Sequence, residues 1–565
     1  MNEIVDIYLD LSEPASQSIK VTLKWIPRSK SLQWSLPIWT PGSYTIREHV
    51  QHLHSLNLKQ DSKLVPVQRV SSSGWKTELD SLEPLSLNYV IEARQLTVRT
   101  CYLDPDFSSL CLAAAVVEIG SHRWSTHRLN VVVPDGWNTY IPLTGEEIFI
   151  ADDYDQLVDA PLHAGCFQST PFTVNKNNHQ LICIGAPPMG WPSDFLEDIS
   201  DICCATCHLM DGPPPAGDRY QLVIQMLDRG YGGLEHDYGA VLQYSWNSLG
   251  ENDGYRKLLQ LIGHEYLHQW NVRRLRPSEY RPYDYTKAVV SDSLWFAEGV
   301  TSYFDLTLPF LANLSDRLTL LKDLSAEFSP LLTKPGRRYQ TLADSSREAW
   351  VKLYKSNPAN SDIQVSYYRL GAAIAFCLDV RLRQYDSSLA SILRSLWLKF
   401  GRTARGYSRL DIKAAIAEVE PTLASDLDVW LDQLDSLPLE SVVNDIGLKL
   451  EPIKSTERQT GLTLVQREGL IKITSVSFGS HGHQAGLVVG DELIAVGGFR
   501  LSHVDEMKTL LPEDPSVTIT YSRRGRLRET TIGSDPPGVD HWIMTIDDQA
   551  PTQASKLREQ WFQII

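Results

Sequence analysis

The chain has 565 residues, 42% of them apolar and 22% charged, proportions ordinary for a globular protein and far from disorder. At roughly 150 residues per domain, this length predicts three or four domains. A formal net charge of -16 argues against a nucleic-acid partner and against docking on anionic lipid, since both need a basic surface.

The first residues, "MNEIVDIYLDLSEPAS", alternate apolar and polar and carry acids where an export signal carries bases. They read as the first strand of a mature fold. No apolar run approaches the roughly 20 residues needed to cross a bilayer. The expected location is therefore the cytoplasm, with no membrane partner. The eight cysteines are sparse for this length and are expected as reduced thiols. Residues 1–172 read as β: "IVDIYLDL", "IKVTLKWI", "LNYVIEA" and "HRLNVVVP" are short and alternating or β-branched, with turn residues between them. They predict an antiparallel, sandwich-like domain.

Over 173–448 the style changes. "YQLVIQML" reads as a buried strand ending at a Gly-rich turn, and helical patterns follow. They include "YRKLLQLIGHEYLHQW", "DSLWFAEGVTSYFDLTL", "SDRLTLLKDLSAEF" and "YYRLGAAIAFCLDVRLRQY". β signals return over 449–536, in "GLTLVQREGLIKITSV", "DELIAVGG" and "SVTITYSRRG", with short helical pieces between them. In the tail, 537–565, Leu557, Trp561 and Ile564 fall at helical spacing and predict a docked helix. The fold class is thus multidomain α+β.

The chemistry concentrates in "GHEYLHQWNVRRLRP", residues 263–277. On an α-helix, residues four apart share a face, so His264 and His268 can turn a ring nitrogen to one ion. Glu265 stands beside the first ligand, where it can accept a proton from water at the ion's open position. The third ligand should be an acid or a histidine from a neighbouring helix. Glu298 in "SLWFAEGVTSYFDL" is the best candidate, because a carboxylate amid so much apolar surface is costly unless paired or metal-bound. Asp305, two turns on, could orient a ligating imidazole or simply be a helix-surface charge.

These segments, "HEYLHQWNVRRLRP" and "LWFAEGVTSYF", resemble the signatures of the glycyl aminopeptidase family of zinc metallopeptidases. That family is related to aminopeptidase N through a thermolysin-like catalytic domain. "IWTPGSYTIREHV" (38–50) is similar to the family's N-terminal β domain. The resemblance implies one zinc ion, held by His264, His268 and Glu298, with Glu265 as catalytic base. Glu298 lies further beyond His268 than the third ligand does in aminopeptidase-N relatives, the extra length falling in "RRLRPSEYRPYDYTKAVVSDS". Long loops are thermodynamically cheap, so the assignment survives.

The same resemblance extends to the substrate. "RGYGGLEHDYG" (229–239) is similar to a segment whose extended backbone lines the cleft, here at Gly232 and Gly233. Its glutamate, matched by Glu235, holds the substrate's free α-amine; His236 stands where the relatives have asparagine. "SYYRLGAAIAFCLD" (366–379) resembles the helix start that carries a catalytic tyrosine. The match is Tyr368, with Tyr367 as competitor, and Leu370 replaces the lysine of the pattern. The implied partners are peptides with a free N-terminus, and the implied reaction releases N-terminal glycine or, less readily, alanine. A PDZ-assisted zinc endopeptidase and a catalytically silent peptide-binding protein are the alternatives.

Three features remain. Arg273 and Arg274 could bind a peptide carboxylate or pair with acids, and pairing is favoured. "CCATCH" (203–208) has haem-attachment spacing, but no export signal accompanies it, and partly buried thiols are expected. Residues 455–535 resemble a PDZ domain, with Gly461, Leu462, Thr463 and Leu464 at the loop that receives a C-terminal peptide. Such a module could capture substrate C-termini or serve as a scaffold.

Overall fold

The computed structural model describes residues 4–355, 357, 360, 362–511 and 516–565. It divides into two compact units, the first comprising Met1–Asp316, Tyr385–Ala424 and Gln563–Ile565, the second Arg317–Gln384 and Ser425–Phe562. The helical stretch expected over 173–448 contributes to both.

The first unit opens with a seven-stranded sheet. Its order is Ile148–Ala151, Thr126–Val132, Ile4–Asp10, Ser18–Trp25, Leu85–Glu92, Leu53–Gln60 and Lys63–Val65. Period-two patterning builds it: Leu85, Leu87, Tyr89 and Ile91 are buried while the residues between them are half-exposed. One neighbour pair departs from the expected antiparallel arrangement. Ile4–Asp10 runs parallel to Thr126–Val132, with Ile7 opposite Leu129. Parallel neighbours need a long crossover, and the strands from Ser18–Trp25 to Glu118–Ile119 lie within it. Two four-stranded sheets complete the β region, one including Ser31–Ser35 and Gly74–Glu78, the other Phe107–Leu110 and Leu162–Gly165.

A five-stranded mixed sheet follows, in the order Ser169–Val174, Asn177–Ile184, Gln221–Leu227, Gly239–Ser245, Tyr231–His236. The boundary expected after residue 172 falls inside its first strand. Gln221–Leu227 runs parallel to both its neighbours and is buried on both faces, which explains its nearly continuous apolar run. Tyr231–His236 lies at the edge, paired antiparallel to Gly239–Ser245.

Helices Phe195–Leu209, Gly254–Leu267 and Val300–Leu311 belong to this unit. The first bears the C-x-x-C-H spacing. Cys203 and Cys207 are buried and Cys204 half-buried, and burial pushes the Cys207 thiol up to about 12. All eight cysteines are free.

The second unit combines helices Arg317–Thr333 and Tyr367–Arg383 with a smaller β region. Strand Leu448–Lys454 pairs with Val539–Ile546, whose backbone N–H groups at Trp542 and Met544 donate to Ser329 and Ser325 on the first helix. A sheet of Leu462–Arg467, Leu470–Val476, Glu492–Val496, Val517–Arg523 and Arg526–Ile532 encloses Ile471, Leu487, Leu493, Val496 and Ile519. The tail helix Thr552–Trp561 seats Trp561 edge-on against Phe376, 5.4 Å between ring centroids. Among the described residues, no helix is long and apolar enough to cross a membrane.

Candidate metal and catalytic site

The helix Gly254–Leu267 ends one residue before His268, short of the Trp270 expected from its pattern. Both histidines nonetheless keep the helical offset, their rings nearly perpendicular and 4.6 Å apart. Glu298 lies in a single wide π-turn, Trp295–Gly299, leading into the helix Val300–Leu311, where a continuous α-helix was expected. The side-chain amide of Asn271 donates to the carbonyls of Phe296 (2.9 Å) and Ala297 (3.1 Å) in that turn. This supports the wide turn by giving its carbonyls a partner outside the helix.

The turn brings Glu298 Oε2 within 3.3 Å of His268 Nε2 and 3.7 Å of His264 Nε2. One ligand atom from each of the three residues lies within 4.8 Å of the others. The opposite nitrogens are already engaged. His264 Nδ1 is 2.7 Å from Asp305 Oδ2, and His268 Nδ1 donates to the Asn271 carbonyl at 2.6 Å. With Nδ1 so engaged, each ring in its neutral form presents the Nε2 lone pair to an ion, the arrangement metal-binding histidines use. Two imidazoles and a carboxylate with one oxygen to spare fit a single zinc ion.

Electrostatics agrees. Burial opposes every charge here, yet His268 and His264 hold the Glu298 carboxyl below the usual range. The histidines are held above theirs, His264 chiefly by hydrogen bonds it donates to Asp305 and Glu298, His268 chiefly by the charges of Glu298 and Glu235. The cluster therefore favours positive charge at its centre.

Glu265 points from the same helix towards the edge strand Tyr231–His236. A Cβ placed on Gly233 would come 2.1 Å from Glu265 Oε1, so the strand passes directly over this carboxylate. Burial, then the nearby charge of Glu235, pushes Glu265 up to about 7, although the two histidines pull the other way. Glu265 and Glu235 are 5% and 4% exposed, and each has one buried oxygen without a hydrogen-bond partner among the described residues. Glu235, Glu265 and His268 also offer ligand atoms within 4.8 Å of one another. Two carboxylates thus face the same small region, an arrangement that calls for a water, an ion or a ligand group between them. Gly232 and Gly233 lie on the edge strand, where the Gly233 carbonyl accepts from Arg99 at 2.8 Å.

Arg273 pairs with Asp159 (2.6 Å) and Asp237 (2.9 Å). Arg274 instead donates to the main-chain carbonyls of Gln269 and Asp237. Tyr368 lies in the second unit at the start of helix Tyr367–Arg383, its hydroxyl 2.6 Å from that of Tyr354. Gly461 to Leu464 line a cavity of about 380 Å³ in the second unit, together with Val504, Met507 and Lys508. Sequence reasoning missed Asn271 and Tyr44. Asn271 could have been suspected from its place just after the second histidine. Tyr44 donates to Glu298 Oε1 at 2.7 Å from the N-terminal β region; its segment, residues 38–50, stood out in the sequence, but nothing in it pointed to this hydroxyl.

Three buried donors around one point, with two further carboxylates beside them, suit metal-assisted hydrolysis. Residues 257–374 match the family model described as M61 glycyl aminopeptidase, and residues 6–166 match the one described as Peptidase M61 N-terminal domain. Among solved structures it is similar to an aminopeptidase N family protein from Idiomarina loihiensis, with 25% identity and a TM-score of 0.91, over 99% of this chain and 100% of that one. It is also similar to an M1 zinc metallopeptidase from Deinococcus radiodurans, with 16% identity and a TM-score of 0.49, over 77% of this chain and 95% of that one. No curated protein sequence matches it.

Proposed function

We propose that this protein is a zinc-dependent aminopeptidase that removes N-terminal residues, glycine ahead of alanine, from peptides. One observation carries the reading. The donor set of His264, His268 and Glu298 adjoins two further buried carboxylates, Glu265 and Glu235, each with an oxygen that has no hydrogen-bond partner among the described residues. When bound, a single zinc ion supplies Lewis acidity that makes water nucleophilic at neutral pH. Glu265, poised near neutrality, takes the proton from the attacking water and returns it to the leaving amine. Glu235 pairs with the substrate's ammonium group and sets the cut one residue from the end. The backbone of Gly232 and Gly233 offers the peptide an extended strand to lie against. Resemblance in sequence, rather than geometry, supports Tyr368 as hydrogen-bond donor to the developing oxyanion.

Glycine preference rests on the family description, and turnover of a panel of aminoacyl amides tests it. N-acetylation of a glycyl peptide should abolish turnover, since it removes the charge that Glu235 pairs with. Equal cleavage of blocked and free peptides would mark an endopeptidase instead. Glu265→Gln should retain the metal and lose about 10²- to 10⁴-fold in kcat. Undiminished turnover in that variant would remove Glu265 from the mechanism.

A second reading concerns residues 455–535, which we take as a PDZ-like module. Its open edge strand Leu462–Arg467 and the adjoining cavity suit a chain terminus added as a further strand. Titration with C-terminal carboxylate and C-terminal amide forms of one peptide separates capture from a scaffold role.

A further inference from the structure

A turn of the N-terminal β region reaches the acids of the candidate site. Ile38 N donates to the carbonyl of Tyr285, and Trp39 Nε1 to that of Asp284. Arg47 N closes the turn on the Ile38 carbonyl at 2.8 Å, and Ser43 N bonds to the Thr40 carbonyl. The segment is therefore held by its own backbone and by the Trp39 indole. At its tip are two contacts with acids. Gly42, at φ +81°, lies so close to Glu235 that a Cβ there would be 2.6 Å from both carboxylate oxygens. Tyr44, 2% exposed and edge-on to Tyr280, donates its hydroxyl to Glu298 Oε1.

The second contact has a direct chemical consequence. A carboxylate can ligate a cation through either oxygen or both. Oε1 is taken by a phenol, while Oε2 is the oxygen that faces the two imidazoles. We infer that the turn Gly42–Tyr44 is a positioning element of the catalytic apparatus, with Tyr44 fixing Glu298 as a ligand through Oε2 and Gly42 walling the Glu235 carboxylate in place. The β region thereby completes the site as well as supporting it. Every glutamate that the mechanism uses, apart from the base on the histidine helix, is braced by this turn.

The inference rests on the zinc reading above, and zinc affinity measured by chelator competition separates the two. Tyr44→Phe should weaken zinc binding about 10- to 100-fold, the usual effect of losing a partner of a metal ligand, and should change the visible spectrum of the Co²⁺-substituted protein. Tyr89→Phe is the control, since it removes another buried hydroxyl of the same region, one bonded to the Ala115 carbonyl at 2.9 Å. It should leave both readouts unchanged. Gly42→Ala should raise KM for a glycyl amide about tenfold, with zinc affinity intact. Wild-type zinc affinity and an unaltered Co²⁺ spectrum in Tyr44→Phe would overturn the inference. So would an equal loss of affinity in Tyr89→Phe, or a drop confined to the metal-free melting temperature of Tyr44→Phe. If the wild-type protein itself bound no zinc, the zinc reading would fail first and carry this inference with it.

Discussion

At the scale of single residues, the site is an exercise in assigning nitrogen and oxygen atoms. Each histidine has one nitrogen committed to an acceptor, Asp305 for His264 and the Asn271 carbonyl for His268, and one turned to Glu298. Asp305 therefore does for His264 what a backbone carbonyl does for His268, and only the side-chain version can be removed by mutation. Asp305→Ala should weaken zinc binding about 10- to 100-fold while leaving the fold intact, as isothermal titration with zinc can check. An unchanged affinity would reduce Asp305 to a surface charge. The histidine spacing and Glu298 were legible in the sequence because a helical period puts His264 and His268 on one face and a buried acid stands out in an apolar run. Tyr44 was not, because its partner lies 254 residues away and nothing local requires a hydroxyl there.

At the scale of elements, the helix Gly254–Leu267 and the edge strand Tyr231–His236 act as a pair. The strand comes close because Gly233 has no side chain, and Glu265, the proposed base, sits in the space so created. Gly233→Ala should push the Glu265 carboxylate aside. A displacement on the ångström scale costs about 100-fold in rate, so kcat should fall by that order with zinc affinity preserved. Stopped-flow turnover beside a metal titration makes the test, and wild-type kcat would show that the strand and the base are not coupled in this way. The elements themselves were largely visible in the sequence: alternation found the strands and the apolar period found the helices. Two details were not. The π-turn at Trp295–Gly299 depends on a side chain from another segment, Asn271, and the parallel pairing of Ile4–Asp10 with Thr126–Val132 is a choice between distant partners. Periodicity reports which face of a strand is buried and says nothing about its neighbour.

At the scale of the whole molecule, the first unit hides four histidines away from the metal donors. His49 and His163 are lowered to about 3, and His127 and His179 to about 4, in each case first by burial. Neither ring nitrogen of His163 has a hydrogen-bond partner among the described residues. Above the ordinary value of about 6.5, these groups are neutral folded or unfolded and cost nothing. As the pH falls below 6.5, the unfolded chain takes up protons that the folded chain refuses, and stability declines until the folded values near 4 and 3 are reached. Each pH unit of separation is worth about 1.4 kcal/mol per group. The urea midpoint should therefore drop steeply between pH 6.5 and 4.5, and His163→Phe should make the drop shallower. A midpoint flat across that range would contradict the assignment. The division into interleaved units, with residues 385–424 returning to the first, had no signature in composition or in any linker-like stretch. Contacts between distant segments decide it.

The central claim is that one divalent metal is held by two histidines of a helix and one glutamate of the turn before the next. Metal content of the purified wild-type protein and of Glu298→Gln, measured side by side after dialysis against a weak chelator, tests it most directly. The account predicts one zinc per wild-type chain and a nearly metal-free variant of unchanged secondary structure. One tightly held zinc in both proteins would contradict it.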